Sequence, residues 1–268
     1  MHFHFDYSAH QILWTLTFAA QLVLLVVLMG RDRIRRYPWF TAGVVLFALR
    51  LMAEVLLAGR MAQLALQEIF LTLGDLTVLV GLLVVVEVAR RAFAGARRSL
   101  WIVNGAGLLV VAGVVVALWG PWPEVKDLAW NTLLGKLRLM QLVAQKGDTL
   151  VELLTFELGL LVVLFGRRFK AGWQSHTQMI AIGLSTVAIA WLAIVGTWQI
   201  VARTAHPQSQ QEYQRIIGLG GKLMNANSVV YLAALIWWIA WLWRDEPGTA
   251  AAVTAEAAPE PAESLPVE

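Results

Sequence analysis

Cysteine is absent from the 268 residues, which removes disulfides, thiolate nucleophiles, cysteine-ligated zinc and iron–sulfur clusters from consideration and leaves the redox compartment unread. Charge is scarce as well. Only 15% of residues are Asp, Glu, Lys or Arg, while 59% are hydrophobic, against roughly 25% and 45–50% in soluble domains. No positive side chain precedes Arg31, so the beginning of the chain does not read as a signal peptide and the first helix is expected to be retained. There is no His-Ser, Cys-His or metal-bearing constellation, and paired carboxylates alone specify no reaction, so an enzyme is disfavoured. No internal repeat of fixed period is present.

What fills the sequence instead is oil. Seven apolar stretches reach the roughly 20 residues needed to cross a bilayer: 10–30, 39–58, 69–89, 100–120, 148–166, 179–201 and 216–243. Each is expected to be a helix, because in lipid the backbone must satisfy its own hydrogen bonds and no alternating barrel strands are seen. The expected fold is therefore all-α: a polytopic bundle of seven transmembrane helices over residues 10–244, with a short outer N-terminal segment, 1–9. The tail 245–268 is rich in Ala, Pro and Glu, lacks aromatics, and reads as disordered.

Orientation follows from the basic residues. Arg31, Arg33, Arg35, Arg36, Arg90, Arg91, Arg97, Arg98, Arg167, Arg168, Lys170 and Arg244 lie on one side, twelve in all. The other side holds seven: Arg60, Lys126, Lys136, Arg138, Lys146, Arg203 and Arg215. The positive-inside rule puts the N-terminus outside and the C-terminus in the cytoplasm, as expected of a multi-pass protein of the cell membrane. The net charge of +3 resides in these short loops, so topology explains it and nucleic acid is not an expected partner. Tryptophans mark both interfaces, with Trp191 the exception near mid-membrane. Between the fourth and fifth spans, residues 124–145 place Val125, Leu128, Leu133, Leu137, Met140 and Val143 at helical spacing among polar residues. That pattern is an amphipathic helix on the outer surface or an extension of the fifth helix.

The second span carries Arg50 and Glu54 inside the run VVLFALRLMAEVLLAG. Arg50 is about 16 Å from the inner end of its helix and Glu54 about 6 Å further out. A charge at that depth costs at least about 2.5–3.5 kcal/mol. Residues four apart share a helix face, so the two can pair along it, and that face should point into the bundle. Asp75 in the third span, Glu152 and Glu157 in the fifth, and Lys222 and Asn227 in the seventh supply polar partners, with Gln199 closing the sixth span on the same side. Four carboxylates against two cations cannot all stay ionised in a low dielectric, so a proton or a cationic ligand is implied. Glu87, near the inner end of the third span, reads as an interfacial residue within reach of Arg90 and Arg91.

Other motifs lead less far. GLGGKL (218–223) has neither the spacing nor the Ser or Thr of a phosphate loop and follows no strand; its glycines suit close helix contact or a break in the seventh helix. Gly105, Gly107 and Gly113 make a smooth surface for neighbouring helices. His2, His4 and His10 are weak candidates for a divalent ion at the outer face. Haem is disfavoured, since His176 sits near the inner surface and His206 in an outer loop, so no histidine pair faces across mid-membrane.

Seven helices, an outside N-terminus, Asp75 in the third span and Lys222 in the seventh resemble the plan of retinal proteins. Lys222 departs from it: about 31 Å from the inner end, it lies too close to the outer surface for a buried Schiff base, so no cofactor is expected. RIRRYPWFTAGVV (33–45) is similar, in hydropathy and loop charge only, to bacterial seven-helix proteins and to membrane-sensor regions of bacterial kinases. The expected function is an outward-facing polar pocket, sensor or receptor-like, that binds a small ligand, ion or proton. Arg50 and Glu54 would form its centre, Asp75, Glu152 and Glu157 its titratable partners, and Lys222 with Asn227 its mouth. Short inner loops imply a membrane or cytoplasmic protein partner besides lipid. A secondary transporter or proton-coupled carrier, and a structural subunit of a membrane complex, are the alternatives.

Overall fold

The computed structural model describes residues 8–57, 59–93, 98–119, 122–123, 132–165, 175–205 and 209–245. They form seven helices and, among the described residues, no strand: α1 (Ala9–Gly30), α2 (Pro38–Leu57), α3 (Gln63–Ala92), α4 (Arg98–Leu118), α5 (Leu133–Phe165), α6 (His176–Thr204) and α7 (Gln210–Trp243). Five have the length and composition to cross a membrane: Ala9–Gly30, Pro38–Leu57, Gln63–Ala92, His176–Val201 and Gln210–Trp243. These apolar helices mark the chain as a multi-pass membrane protein. In α4 the apolar stretch Gly105–Leu118 is shorter, and α5 carries Lys136, Arg138, Lys146, Asp148, Glu152 and Glu157 along its length.

Helix starts are set by serine. Ser8 and Gln11 form a reciprocal capping box at α1, and Ser175 and Ser209 accept from Gln178 N and Glu212 N at α6 and α7, satisfying backbone donors that the first turn leaves unpaired. Several helices outrun their apolar cores. Polar and amphipathic residues continue α3 upstream to Gln63 and α7 to Gln210, because helix formation asks only for propensity once a neighbouring helix is present to pack against. The same holds for α5. Of the two alternatives for the segment before it, residues 133–147 take the extension; positions 124–131 lie outside the described residues, as do the tail beyond 245, His2 and His4.

The helices close into a ring in the order α1, α2, α3, α5, α6, α7, with α3 also touching α6, while α4 packs on α5 alone. Gly105, Gly107 and Gly113 of α4 therefore meet nothing within 4 Å, which corrects their expected role as a helix-packing surface: α4 is peripheral and turns them away from the bundle. The seventh helix is likewise continuous through Gly218–Gly221, so there is no break there. Of those glycines Gly220 makes the close contact, against the Trp198 ring.

Contacts fix the direction and level of each helix. Gln21 bonds Tyr231 and Arg31 bonds Asp245, so α1 and α7 run parallel. Phe40 packs on Trp238 and Phe47 on Tyr231, so α2 runs opposite to α7. Val78 sits against Gly147 and Val151 against Gly81, a reciprocal valine-into-glycine seam that holds α3 and α5 parallel and close. Ser185 of α6 donates to Thr155 O of α5 at 3.0 Å, and Gly183 lies against Trp238. Odd helices of the ring thus run one way and even ones the other. We call the end where α1 begins the upper end and the end where α7 finishes the lower end.

The lower half is the core. Leu24, Leu28, Phe40, Val44, Val84, Val88, Leu158, Val162, Ile180, Leu235, Trp238 and Leu242 pack together in it. Below them polar groups are stitched across helices. Glu87 is only 7% exposed and accepts from Phe40 N at 3.0 Å, so a carboxylate of α3 caps the start of α2, where the helix dipole favours negative charge. It also pairs with Arg91 at 4.0 Å. It is buried between helices at the lower end, and the basic partner is the expected one. Tyr37, fully buried, shares a hydrogen bond with Thr177 at 2.9 Å beneath the Arg91 guanidinium. Arg31 pairs with Asp245 at 3.1 Å, and His176 Nε2 lies 3.1 Å from Arg244 O.

Candidate functional site

Above that core the helices bring polar residues to a common level. Gly43 of α2 faces Val80 and Val84 of α3; seven residues up each helix from that contact stand Arg50 and Asp75. Gly74 of α3 faces Ala144 of α5, which sets Gln145 beside Asp75. One turn above the Gln21–Tyr231 bond, on parallel α1 and α7, stand Thr17 and Asn227. Arg50, Asp75, Gln145, Thr17 and Asn227 therefore occupy one layer of the bundle. Asp148, Gln21 and Tyr231 lie one turn below it.

Arg50 of α2 and Asp75 of α3 share the layer, and Asp148 and Glu152 of α5 follow below it. The last two are four residues apart on α5, where like charges repel. Three acidic residues of α3 and α5 and one guanidinium of α2 thus lie within about two helical turns of one level. The glycine seam brings the two helices together: Gly74 and Gly147 each stand next to an acid, and without side chains they let α3 and α5 approach closely.

Several buried atoms here have no hydrogen-bond partner among the described residues: Asp75 Oδ1, Asn227 Oδ1, Gln21 Oε1, Thr17 Oγ1 and Trp14 Nε1. Gln21 is fully buried and Thr17 is 5% exposed, so such groups are costly to leave unpaired and are the kind that a bound molecule, ion or water satisfies.

The residues expected to form the site are only partly assembled. Arg50 is half-buried, but Glu54 is exposed one turn above it, and among the described residues the two make no ion pair within 4.0 Å. The pairing expected of Arg50 and Glu54 is therefore not made: i,i+4 spacing shares a face without forcing contact. Asp75, Glu152 and Asn227 are half-buried in or near the layer. Glu157 is nine residues below Asp148, about 13 Å further down α5, level with Gly183 and Trp238, and its Oε2 is unpartnered there among the described residues. Lys222 is exposed near the upper end, as is His10. Asp148 is the residue that sequence reasoning left out, because the apolar run begins beside it and made it look like a helix mouth; its spacing with Gln145 and Glu152 on one face of α5 was the available signal. Among the described residues no group of three or more His, Asp or Glu side chains converges as metal ligands would.

Next to the layer, between α5, α6 and α7, lies a cavity of about 290 Å³ lined by Gln145, Trp191, Val195, Trp198, Gln199 and Met224, among others. Lys146 beside it is turned away, onto the Trp119 carbonyl and 4.5 Å from the Trp122 ring. No protein-family model matches the chain, and no curated protein or solved structure is significantly similar to it.

Proposed function

We propose that the chain spans the cell membrane seven times with its N-terminus outside, and that the polar layer in its upper half is an outward-facing, sensor- or receptor-like site for a small cation or proton. The observation that carries this reading is the placement of Arg50, Asp75, Asp148 and Glu152 within about two helical turns of one level, above a mostly apolar core. Charges so deep in a bundle are functional by default, and an excess of carboxylates over guanidinium calls for a positive partner. The core below is mostly apolar among the described residues, which favours sensing over transport. Occupancy would be read at the lower end, where the α1–α2 loop, the start of α6 and the end of α7 are tied together, by a partner protein.

The test is thermal unfolding of the full chain in lipid nanodiscs across inorganic and organic cations and pH. A ligand that binds the folded state raises Tm by mass action; the response should be present in wild type and lost in Asp148→Asn. A wild-type Tm indifferent to every cation and to pH, or an unchanged response in the variant, overturns the reading. Cation flux into proteoliposomes that Asp148→Asn abolishes would establish the transporter alternative instead. Orientation has its own test, made simple by the absence of native cysteine: Met61→Cys should react with a membrane-impermeant maleimide in intact cells, and Ile34→Cys only after permeabilisation. The reverse pattern inverts the topology.

A further inference from the structure

The cavity between α5, α6 and α7 says what kind of cation the site is built for. Its level is fixed by the same contacts as the polar layer. Ser185 against Thr155 places Val195 opposite Gln145, and places Trp191 opposite the Asp148–Thr149 turn. The cavity therefore stands beside the polar layer, with its lower edge at the level of Asp148. On α5, Gln145, Asp148 and Glu152 follow at i, i+3 and i+7, one face of the helix, so the wall that presents Gln145 to the cavity leads one turn down to the carboxylates.

Its lining has a definite chemistry. Trp191 and Trp198 bring two indole rings, Gln145 and Gln199 two carboxamides, and Ile194, Val195, Leu223 and Met224 an apolar remainder; no Lys, Arg, Asp or Glu lines it. Trp198 is held in place by Gly220, where a methyl group would come within 3.0 Å of its ring. A hydrated metal ion would gain little from such walls. An organic ammonium ion would gain from all of them: its apolar body from the aliphatic side chains, its charge from the indole faces, which attract cations most strongly among aromatic rings, and the positive rim of its N–H or N–CH3 groups from the carboxamide oxygens. About 290 Å³ falls at the small end of the usual range for ligand pockets. The nearest basic side chain in sequence, Lys146, is engaged elsewhere.

Building on the cation site proposed above, we infer that its ligand is a lipophilic organic ammonium ion, seated in the Trp191–Trp198 cavity with its charged end toward Asp148.

The experiment is calorimetric titration of the purified full chain with benzyltrimethylammonium, with neopentylbenzene, its uncharged carbon analogue, as competitor. The ammonium ion should bind wild type, Trp191→Leu and Asp148→Asn should each weaken it about ten-fold, and neopentylbenzene should fail to displace it. Trp198→Phe keeps an aromatic face and should retain most of the affinity, which separates loss of the ring from loss of the fold. No binding to folded wild type overturns the inference. So does displacement by neopentylbenzene together with undiminished affinity in Asp148→Asn, the behaviour of a plain lipophilic pocket. If either happens while wild type keeps its cation- or pH-dependent Tm, the ligand class fails and the cation site stands; if that dependence is missing too, both fall.

Discussion

The two halves of the bundle solve the same problem differently. Both place polar groups among apolar helices, yet the lower half pairs most of them: Glu87 with the start of α2, Tyr37 with Thr177, His176 with the Arg244 carbonyl. The upper half brings Arg50, Asp75, Asp148, Gln21, Thr17 and Asn227 together and leaves several of their atoms without partners among the described residues. Arg33 Nε, Glu157 Oε2 and Trp238 Nε1 are unpartnered in the lower half too, among the described residues. A paired polar group fixes geometry, whereas an unpaired buried one stores a cost of about 1–3 kcal/mol that a ligand can relieve. The contrast reads as a rigid base and a receptive top.

The sharpest way to break that comparison is to overfill the base. Gly183 lies against the Trp238 indole, which is almost fully buried and has nowhere to move. Gly183→Val should lower unfolding free energy by about 3 kcal/mol, the upper end of overpacking costs. Gly113→Val on α4, where a side chain meets nothing within 4 Å, should change it by less than about 0.5 kcal/mol. Equal effects in reversible detergent unfolding would mean that the lower core is not the tightly packed half.

Next in size is the cap. Glu87→Ala leaves Phe40 N–H without its acceptor at a position only 3% exposed, so unfolding free energy should fall by about 2 kcal/mol. A loss below about 0.5 kcal/mol would show that the base does not depend on its polar stitching.

Much of this architecture was legible in the sequence. Seven apolar runs foretold seven helices, because hydrocarbon length and backbone hydrogen bonding leave few alternatives. Helix ends were not, since residues such as Gln63–Glu68 and 133–147 carry no apolar run and become helical by continuing one. The periphery of α4 was hidden too: a run that is oily all round does not say which side faces protein. Within the site, Asp75, Glu152 and Asn227 stood out as polar residues in oil, while Asp148 was masked by its position at the edge of a run. Its role depends on Gly147 letting α3 approach, a tertiary fact. Glu54 shows the converse, a local spacing that promised a pair and does not make it.

In the upper half the sign of a substitution should reverse. Thr17 is buried with an unpartnered hydroxyl, so Thr17→Val removes a desolvated oxygen without changing shape and should stabilise the ligand-free protein by about 1 kcal/mol. Destabilisation by that amount would mean that the hydroxyl is satisfied in the membrane-embedded protein, and the receptive top would then resemble the base.

The smallest expected effect discriminates most finely between two centres for the site. Glu54 is exposed at the upper rim, with no ion pair to Arg50 among the described residues, and Arg50 stands level with Asp75, one turn above Asp148. Glu54→Gln should therefore shift stability by less than about 0.5 kcal/mol and leave the cation dependence of Tm as in wild type, while Asp148→Asn abolishes that dependence. The two variants neutralise carboxylates on opposite sides of the same guanidinium, so their comparison isolates which one it serves. Were Glu54→Gln to remove the response and Asp148→Asn to spare it, the pair within α2 would be the charged centre after all, and the α3–α5 glycine seam would be packing alone.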